Sequence, residues 1–160
     1  MYAPLDLYDT AAARRLDTQA TTLLGGDGYI LMQRAGQAAW QHLLERWPQA
    51  RRIVVVCGTG HNGGDGYVLA CLAQRAGRQV QVVHLPEHGP ASPLAQRACT
   101  DYLGVGGAIE LFPSPLAQAD VIVDALFGIG LNRAPDAETT ALIDAINAAG
   151  VPVLALDVPS

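Results

Sequence analysis

Apolar residues recur with a helical period in the first third of the chain. Over residues 29–47 they return every four positions and stop before Pro48, which predicts a helix there. The preceding segment, 8–24, is rich in Ala, Leu and Arg and runs into a glycine-rich stretch, which predicts an earlier helix. Together these two helices form a helical N-terminal segment, residues 8–47.

The pattern changes from residue 52 onward, where short apolar runs alternate with amphipathic segments. The run 52–57 is continuously apolar and β-branched after its first residue, as in a strand buried on both faces of a parallel sheet. Further strands are predicted over 79–85, 108–112, 120–127 and 151–158, with helices over 63–76, 92–103 and 136–149. This rhythm predicts the α/β class, as a Rossmann-like three-layer αβα sandwich with a mostly parallel sheet.

Length and order predict a single domain over residues 1–160, with the sheet formed by residues 52–160. The last predicted strand ends two residues before Ser160, and no helix follows it. A core strand is an unusual place for a doubly wound domain to stop. We therefore expect the domain to be truncated after a core strand, as the front part of a longer protein.

Composition narrows the possible functions. The chain carries 10 basic and 15 acidic residues, for a net charge of −5, which argues against general nucleic-acid binding. Every basic residue is Arg, so chemistry that needs a Schiff-base or P-loop lysine is excluded. Three cysteines without metal-binding spacing indicate a reducing cytoplasm, and no apolar run is long enough for a membrane span.

A glycine-rich segment, residues 58–66, joins the first strand to the following helix and reads Gly-Thr-Gly-His-Asn-Gly-Gly-Asp-Gly. It contains G-x-G-x-x-G, whose glycines let a backbone approach a ligand at a helix N-terminus. A dehydrogenase would also carry an acid at the end of the second strand, but Glu87 lies beyond Pro86. Asp65 is either a helix cap or part of a ligand-binding loop, and five glycines in nine residues favour the loop.

Two further loops follow predicted strands. Asp124 interrupts an apolar run, so its carboxylate must be paired, protonated or bound to a cation. Arg133 follows two glycines and is either a phosphate ligand or an ordinary surface residue. Asp157 stands at the end of the last strand. Because ligands bind at the carboxyl edge of open α/β sheets, the three loops predict one site.

The segments 31–36, 58–66, 124–133 and 157–160 together resemble the NAD(P)H-hydrate epimerase family, the amino-terminal YjeF-type domain. The resemblance covers nearly the whole chain, and it implies an isomerase. The reaction would interconvert the R and S forms of hydrated NADH and NADPH (NADHX and NADPHX) at C6 of the nicotinamide ring, a metabolite repair. It also implies a homodimer, and a fused or separate NAD(P)H-hydrate dehydratase. The alternative is a non-catalytic nucleotide-binding or dimerising scaffold of the same fold.

The resemblance also implies the site residues. A potassium ion would be held by Asn62, Asp124 and Ser160, whose oxygens suit a hard cation. His61 stands where the family more often has Asn. The residues implied in substrate binding are His61, Asn62, Gly63, Gly64, Asp65, Gly128, Ile129, Gly130, Leu131, Asn132, Arg133, Ala134 and Asp157.

Asp157 is also the candidate general acid–base. Inversion at C6 needs a proton relay, either for loss and re-addition of the hydroxyl or for opening and closing of the ring. We expect a buried carboxylate at a strand end, whose pKa would suit that task. The alternative is that Asp157 only binds the ribose hydroxyls.

Overall fold

A computed structural model describes residues 8–116, 118–131 and 134–160. The described elements alternate as predicted after two initial helices. In chain order they are α1 (Thr10–Leu23), α2 (Gly28–Arg46), β1 (Arg52–Cys57), α3 (His61–Arg75), β2 (Gln79–His84), α4 (Pro93–Gly104), β3 (Ile109–Leu111), β4 (Val121–Ala125), α5 (Ala137–Ala148) and β5 (Val153–Ala155).

The five strands form one parallel sheet in the order β3-β2-β1-β4-β5, which confirms the predicted fold class. Strand β1 is central, and Val55 pairs with Val82 on one side and Val123 on the other. The strand order reverses between β1 and β4. The carboxyl ends of these two strands therefore flank the crevice where open α/β sheets bind ligands.

Alternate residues of the central strands serve two separate cores. Ile53 and Val55 of β1 pack with buried side chains of α2, α3 and α4. Val54 and Val56 face the other way and pack with Leu142 and other residues of α5. This period of two places helices on both faces of the sheet and makes the three layers.

Helix ends follow local chemistry where a side-chain cap is available. Asp9, Asp27, Ser92 and Asp136 precede α1, α2, α4 and α5, and each accepts a hydrogen bond from a backbone N–H of the first turn. Helix α3 begins after Gly60 and has no such cap. None of the described helices is long and apolar enough to cross a membrane.

Candidate functional site

The glycine segment after β1 is folded into the start of a helix. Helix α3 begins at His61 and not at Gly63, so His61–Asp65 form its first turns. A Cβ on Gly63 would lie 2.0 Å from the carbonyl oxygen of Gly58, and a Cβ on Gly58 would lie 2.0 Å from that of Leu126. Only glycine permits these approaches, which bring the β1–α3 turn against the exit of β4.

Asn62 connects these two segments and is buried. Its Nδ2 donates a hydrogen bond to the backbone oxygen of Phe127 at 2.5 Å. Its Oδ1 is buried and has no hydrogen-bond partner among the described residues. A buried carbonyl oxygen without a donor is costly, so this atom marks a place where a cation or a ligand donor fits.

Asp124 and Ser160, the other two predicted cation ligands, lie together. Asp124 is 5% exposed, and its Oδ1 accepts from the Ser160 hydroxyl at 2.8 Å. Its Oδ2 accepts from the Ser160 backbone N–H at 2.9 Å, and Oδ1 also accepts from the Leu126 N–H at 3.2 Å. The carboxylate that interrupts the apolar run therefore accepts three hydrogen bonds from neutral donors.

The described residues contain no group of three or more His, Cys, Asp or Glu side chains that could hold a metal. The predicted set has one carboxylate, one amide oxygen and one hydroxyl. A set of oxygen ligands that carries only one negative charge fits a hard cation of low charge better than a transition metal. The unpartnered Oδ1 of Asn62 is the observation that makes the residues present compatible with potassium.

Asp157 lies two residues beyond β5 in a left-handed conformation, with φ of 67°. Its Oδ2 accepts a hydrogen bond from the Ile129 N–H at 2.7 Å. A Cβ on Gly128 would lie 2.6 Å from the same oxygen. The expectation of a buried carboxylate is wrong here, because Asp157 follows the short edge strand β5 and is exposed.

Asp65 is less exposed than Asp157. Burial, together with the smaller effect of the negative charges of Asp157 and Asp17, raises its pKa to about 7. Asp65, Asp157 and Asn62 line one cavity of about 330 Å³ between α2 and the carboxyl end of β5. The structure therefore brings together a carboxyl that can hold a proton near neutral pH and an exposed carboxyl beside it.

The loop after β4 faces two directions. Gly128 and Ile129 lie at Asp157, whereas Leu131 and Ala134 line a second cavity of about 170 Å³ on the α5 side of the sheet. Gly130 is exposed. The predicted ligands Asn132 and Arg133 lie outside the described residues.

Sequence reasoning missed several residues that line the second cavity. They belong to the segments after β1, β2 and β4 and to the first turn of α5. The signal that could have found them is their common position at the carboxyl edge of the sheet. They are Thr59, Leu85, His88, Leu126, Phe127, Asp136 and Thr139.

Comparison with known protein families shows to which family the chain belongs. The family model described as "YjeF-related protein N-terminus" matches residues 28–160. The chain belongs to the YjeF-related N-terminal family. The matched range includes all four segments that carry the resemblance, and helix α1 precedes it.

Named relatives fall into two groups by length. A bifunctional NAD(P)H-hydrate repair enzyme of Coxiella burnetii is 45% identical, over 96% of this chain and 32% of that protein. The corresponding Escherichia coli enzyme is 40% identical, over 92% of this chain and 29% of that protein. An NAD(P)H-hydrate epimerase of Limosilactobacillus fermentum is 39% identical, over 94% of this chain and 73% of that protein. The chain thus spans about a third of the bifunctional relatives and nearly three quarters of the epimerase.

A solved structure supports the fold independently. The crystal structure of a yeast protein superposes with a TM-score of 0.83, covering 98% of this chain and 71% of that chain. The identity is 18%, so the likeness concerns the fold alone.

Proposed function

We propose that this chain is an NAD(P)H-hydrate epimerase that interconverts the R and S forms of hydrated NADH and NADPH at C6 of the nicotinamide ring. The observation that carries the proposal is the cavity shared by Asn62, Asp65 and Asp157, in a chain 39% identical to a named epimerase. The scaffold alternative has no such support, because a scaffold has no need of two carboxyls at one cavity.

Inversion at C6 requires a proton to move near the reacting carbon. Asp157 is our candidate for the acid–base group, since it is exposed to a ligand and held by the Ile129 N–H. Asp65, whose pKa is raised to about 7, can hold or release the partner proton at neutral pH. The helix start at His61 and the backbone after β4 would bind and orient the dinucleotide.

We propose K⁺ as the cofactor, held by the Oδ1 of Asn62, the carboxylate of Asp124 and the hydroxyl of Ser160. When bound, the ion supplies positive charge beside the site and satisfies the buried amide oxygen. Asp124 and Ser160 already orient one another through two hydrogen bonds, so two of the three ligands are preorganised.

The wider setting is proposed from the family resemblance of the sequence. We infer a cytoplasmic enzyme that acts as a homodimer and works with an NAD(P)H-hydrate dehydratase, fused or separate. The three cysteines are free and buried, which is consistent with a reducing compartment. Size-exclusion chromatography with light scattering tests the dimer directly.

The deciding experiment follows the R and S forms of NADHX by chromatography, with and without the protein, in potassium and in sodium buffer. We expect acceleration above the spontaneous rate, a larger effect in potassium, and loss of the rate in Asp157→Asn. Asp144→Asn, an exposed acid on α5, is the matched control and should keep the rate. No acceleration by the wild-type chain would overturn the proposal.

The same variant separates the two roles of Asp157. Loss of kcat with NADHX binding retained supports acid–base chemistry. Loss of binding with kcat retained would assign Asp157 to the ribose hydroxyls and remove it from the chemistry.

A further inference from the structure

Helix α1 has no buried residue, but it lines a cavity that it shares with the predicted substrate segment of α3. Three polar residues on one face, Asp17, Thr18 and Thr21, line a cavity of about 560 Å³ together with His61 and Asp65. The helix therefore faces, across this cavity, the first turns of α3, the segment to which the sequence assigns substrate binding.

Arg14 extends the same face of α1 by one turn. Its guanidinium Nη2 lies 3.7 Å from the position that a Cβ on Gly130 would occupy, so the side chain reaches the loop after β4. Helix α1 thus spans both predicted substrate segments. Among the described residues, no carboxylate lies within 4.0 Å of this guanidinium, not even that of Asp17 one turn later.

The charges around the site favour a cation at the position of Arg14. Asp65, Asp124 and Asp157 gather at one edge of the sheet, where a dinucleotide would add the negative charge of its diphosphate. Other arginines are engaged elsewhere. Arg52 pairs with Asp120 at the opposite end of the strands, and Arg97 pairs with Asp27.

We propose that Arg14 binds the diphosphate of the dinucleotide, so that α1 forms one wall of the substrate site. A guanidinium suits this ligand because its N–H groups can contact two phosphate oxygens at once. The inference rests on the proposed function and adds a residue that precedes the range 28–160 matched by the family model. It assigns to Arg14 the phosphate contact that the sequence suggested for Arg133.

The test measures the affinity of ADP-ribose, which has the diphosphate but no nicotinamide, by isothermal titration calorimetry. We expect Arg14→Gln to weaken binding about 10-fold or more, as for the loss of a charged hydrogen-bond partner. Arg14→Lys should recover part of the affinity, because it keeps the charge without the planar fork. Arg15→Gln is the matched control, since Arg15 is exposed and points about 100° further around the helix.

Equal affinities in wild type and Arg14→Gln, equal losses in Arg14→Gln and Arg15→Gln, or no ADP-ribose binding by the wild type would each overturn the inference. The NADHX assay on the same proteins keeps the two proposals apart. A wild type that epimerises while Arg14→Gln binds ADP-ribose normally overturns this inference alone. If the wild type binds ADP-ribose but does not epimerise NADHX, and Arg14→Gln weakens ADP-ribose binding, this inference is supported and the epimerase proposal is overturned.

Discussion

Ser160 holds both oxygens of the buried Asp124 carboxylate, through its hydroxyl at 2.8 Å and its backbone N–H at 2.9 Å. The backbone contact is independent of the side chain, so the hydroxyl can be removed without freeing the carboxylate. This pair therefore offers a way to test the proposed cation site with little damage to the fold.

Ser160→Ala should weaken potassium activation of the proposed epimerase. One of three proposed oxygen ligands is lost, and we expect the KCl concentration for half-maximal activity to rise about 10-fold, as for a lost ligand or its support. The measurement is NADHX epimerisation against KCl at constant ionic strength. Ser114→Ala is the control, because its hydroxyl also bonds a carboxylate, that of Glu110, but on the surface. An unchanged KCl dependence in Ser160→Ala would remove Ser160 from the cation site.

Gly128→Ala should reduce activity far more than stability. The new Cβ would meet Oδ2 of Asp157 at 2.6 Å and Cβ of Asn62 at 3.5 Å. The Asp157 side chain can move aside, so we expect a change in unfolding free energy below about 1 kcal/mol. The displaced carboxylate should lower kcat/KM about 10- to 100-fold. The measurements are urea denaturation and NADHX kinetics on the same preparation.

Gly104→Ala is the control for that variant, because no heavy atom lies within 4 Å of the added Cβ near the end of α4. It should leave kcat/KM unchanged. If Gly128→Ala kept wild-type kcat/KM, the position of the Asp157 carboxylate would not matter for the reaction.

Gly63→Ala should destabilise the fold. Its Cβ would lie 2.0 Å from the backbone oxygen of Gly58, and the backbone cannot move aside as a side chain can. We expect a loss of about 3 kcal/mol in urea denaturation, typical of an overpacked core position. Gly60→Ala is the control, since nothing lies within 4 Å of its added Cβ. Similar stabilities for the two variants would contradict the close approach.

The order of strands and helices was predictable because each apolar run is bounded by polar or glycine residues. Strand β1 matches its predicted bounds, 52–57, at both ends. Strand β5 is shorter than the predicted 151–158 and covers only Val153–Ala155. Two residues after the strand, Asp157 adopts a left-handed conformation, which the apolar pattern does not encode.

The sequence pattern predicts the start of α3 two residues too late, at Gly63 and not at His61. Glycines are poor helix formers, so Gly63 and Gly64 in sequence indicate a loop. In the structure they are buried in a helix, where their missing side chains leave room for Gly58 and for Met32. Tertiary packing thus overrides local propensity at the site itself.

The site was predictable as a set of loops but not in its electrostatics. Parallel strands bring Asn62, Asp124 and Asp157 to one edge, which topology alone requires. Asp65 lines cavities shared with both α1 and α2, whereas Asp157 lines only the cavity shared with α2 and is exposed. No sequence motif predicts this difference in exposure between Asp65 and Asp157.

Asp65 should make stability depend on pH in a defined direction. Its pKa is about 7 in the folded chain and about 3.9 when unfolded. Between about pH 4 and pH 7 the folded state keeps a proton that the unfolded state has released, so the free energy of unfolding falls as pH rises. Asp65→Asn lacks this penalty. Its stability advantage over wild type should be larger at pH 8 than at pH 5, by up to about 3 kcal/mol.

Urea denaturation of both proteins at pH 5 and pH 8 measures that difference and cancels the contributions of all other groups. Asp144→Asn, which removes an exposed acid from α5, should show no such pH dependence. In an Asp17→Asn background, the pH range over which Asp65 lowers the free energy of unfolding should end at a lower pH, because the charge of Asp17 raises the pKa of Asp65. An equal advantage of Asp65→Asn at both pH values would mean that Asp65 ionises near its ordinary pKa, and it would lose its place as the proton-holding partner of Asp157.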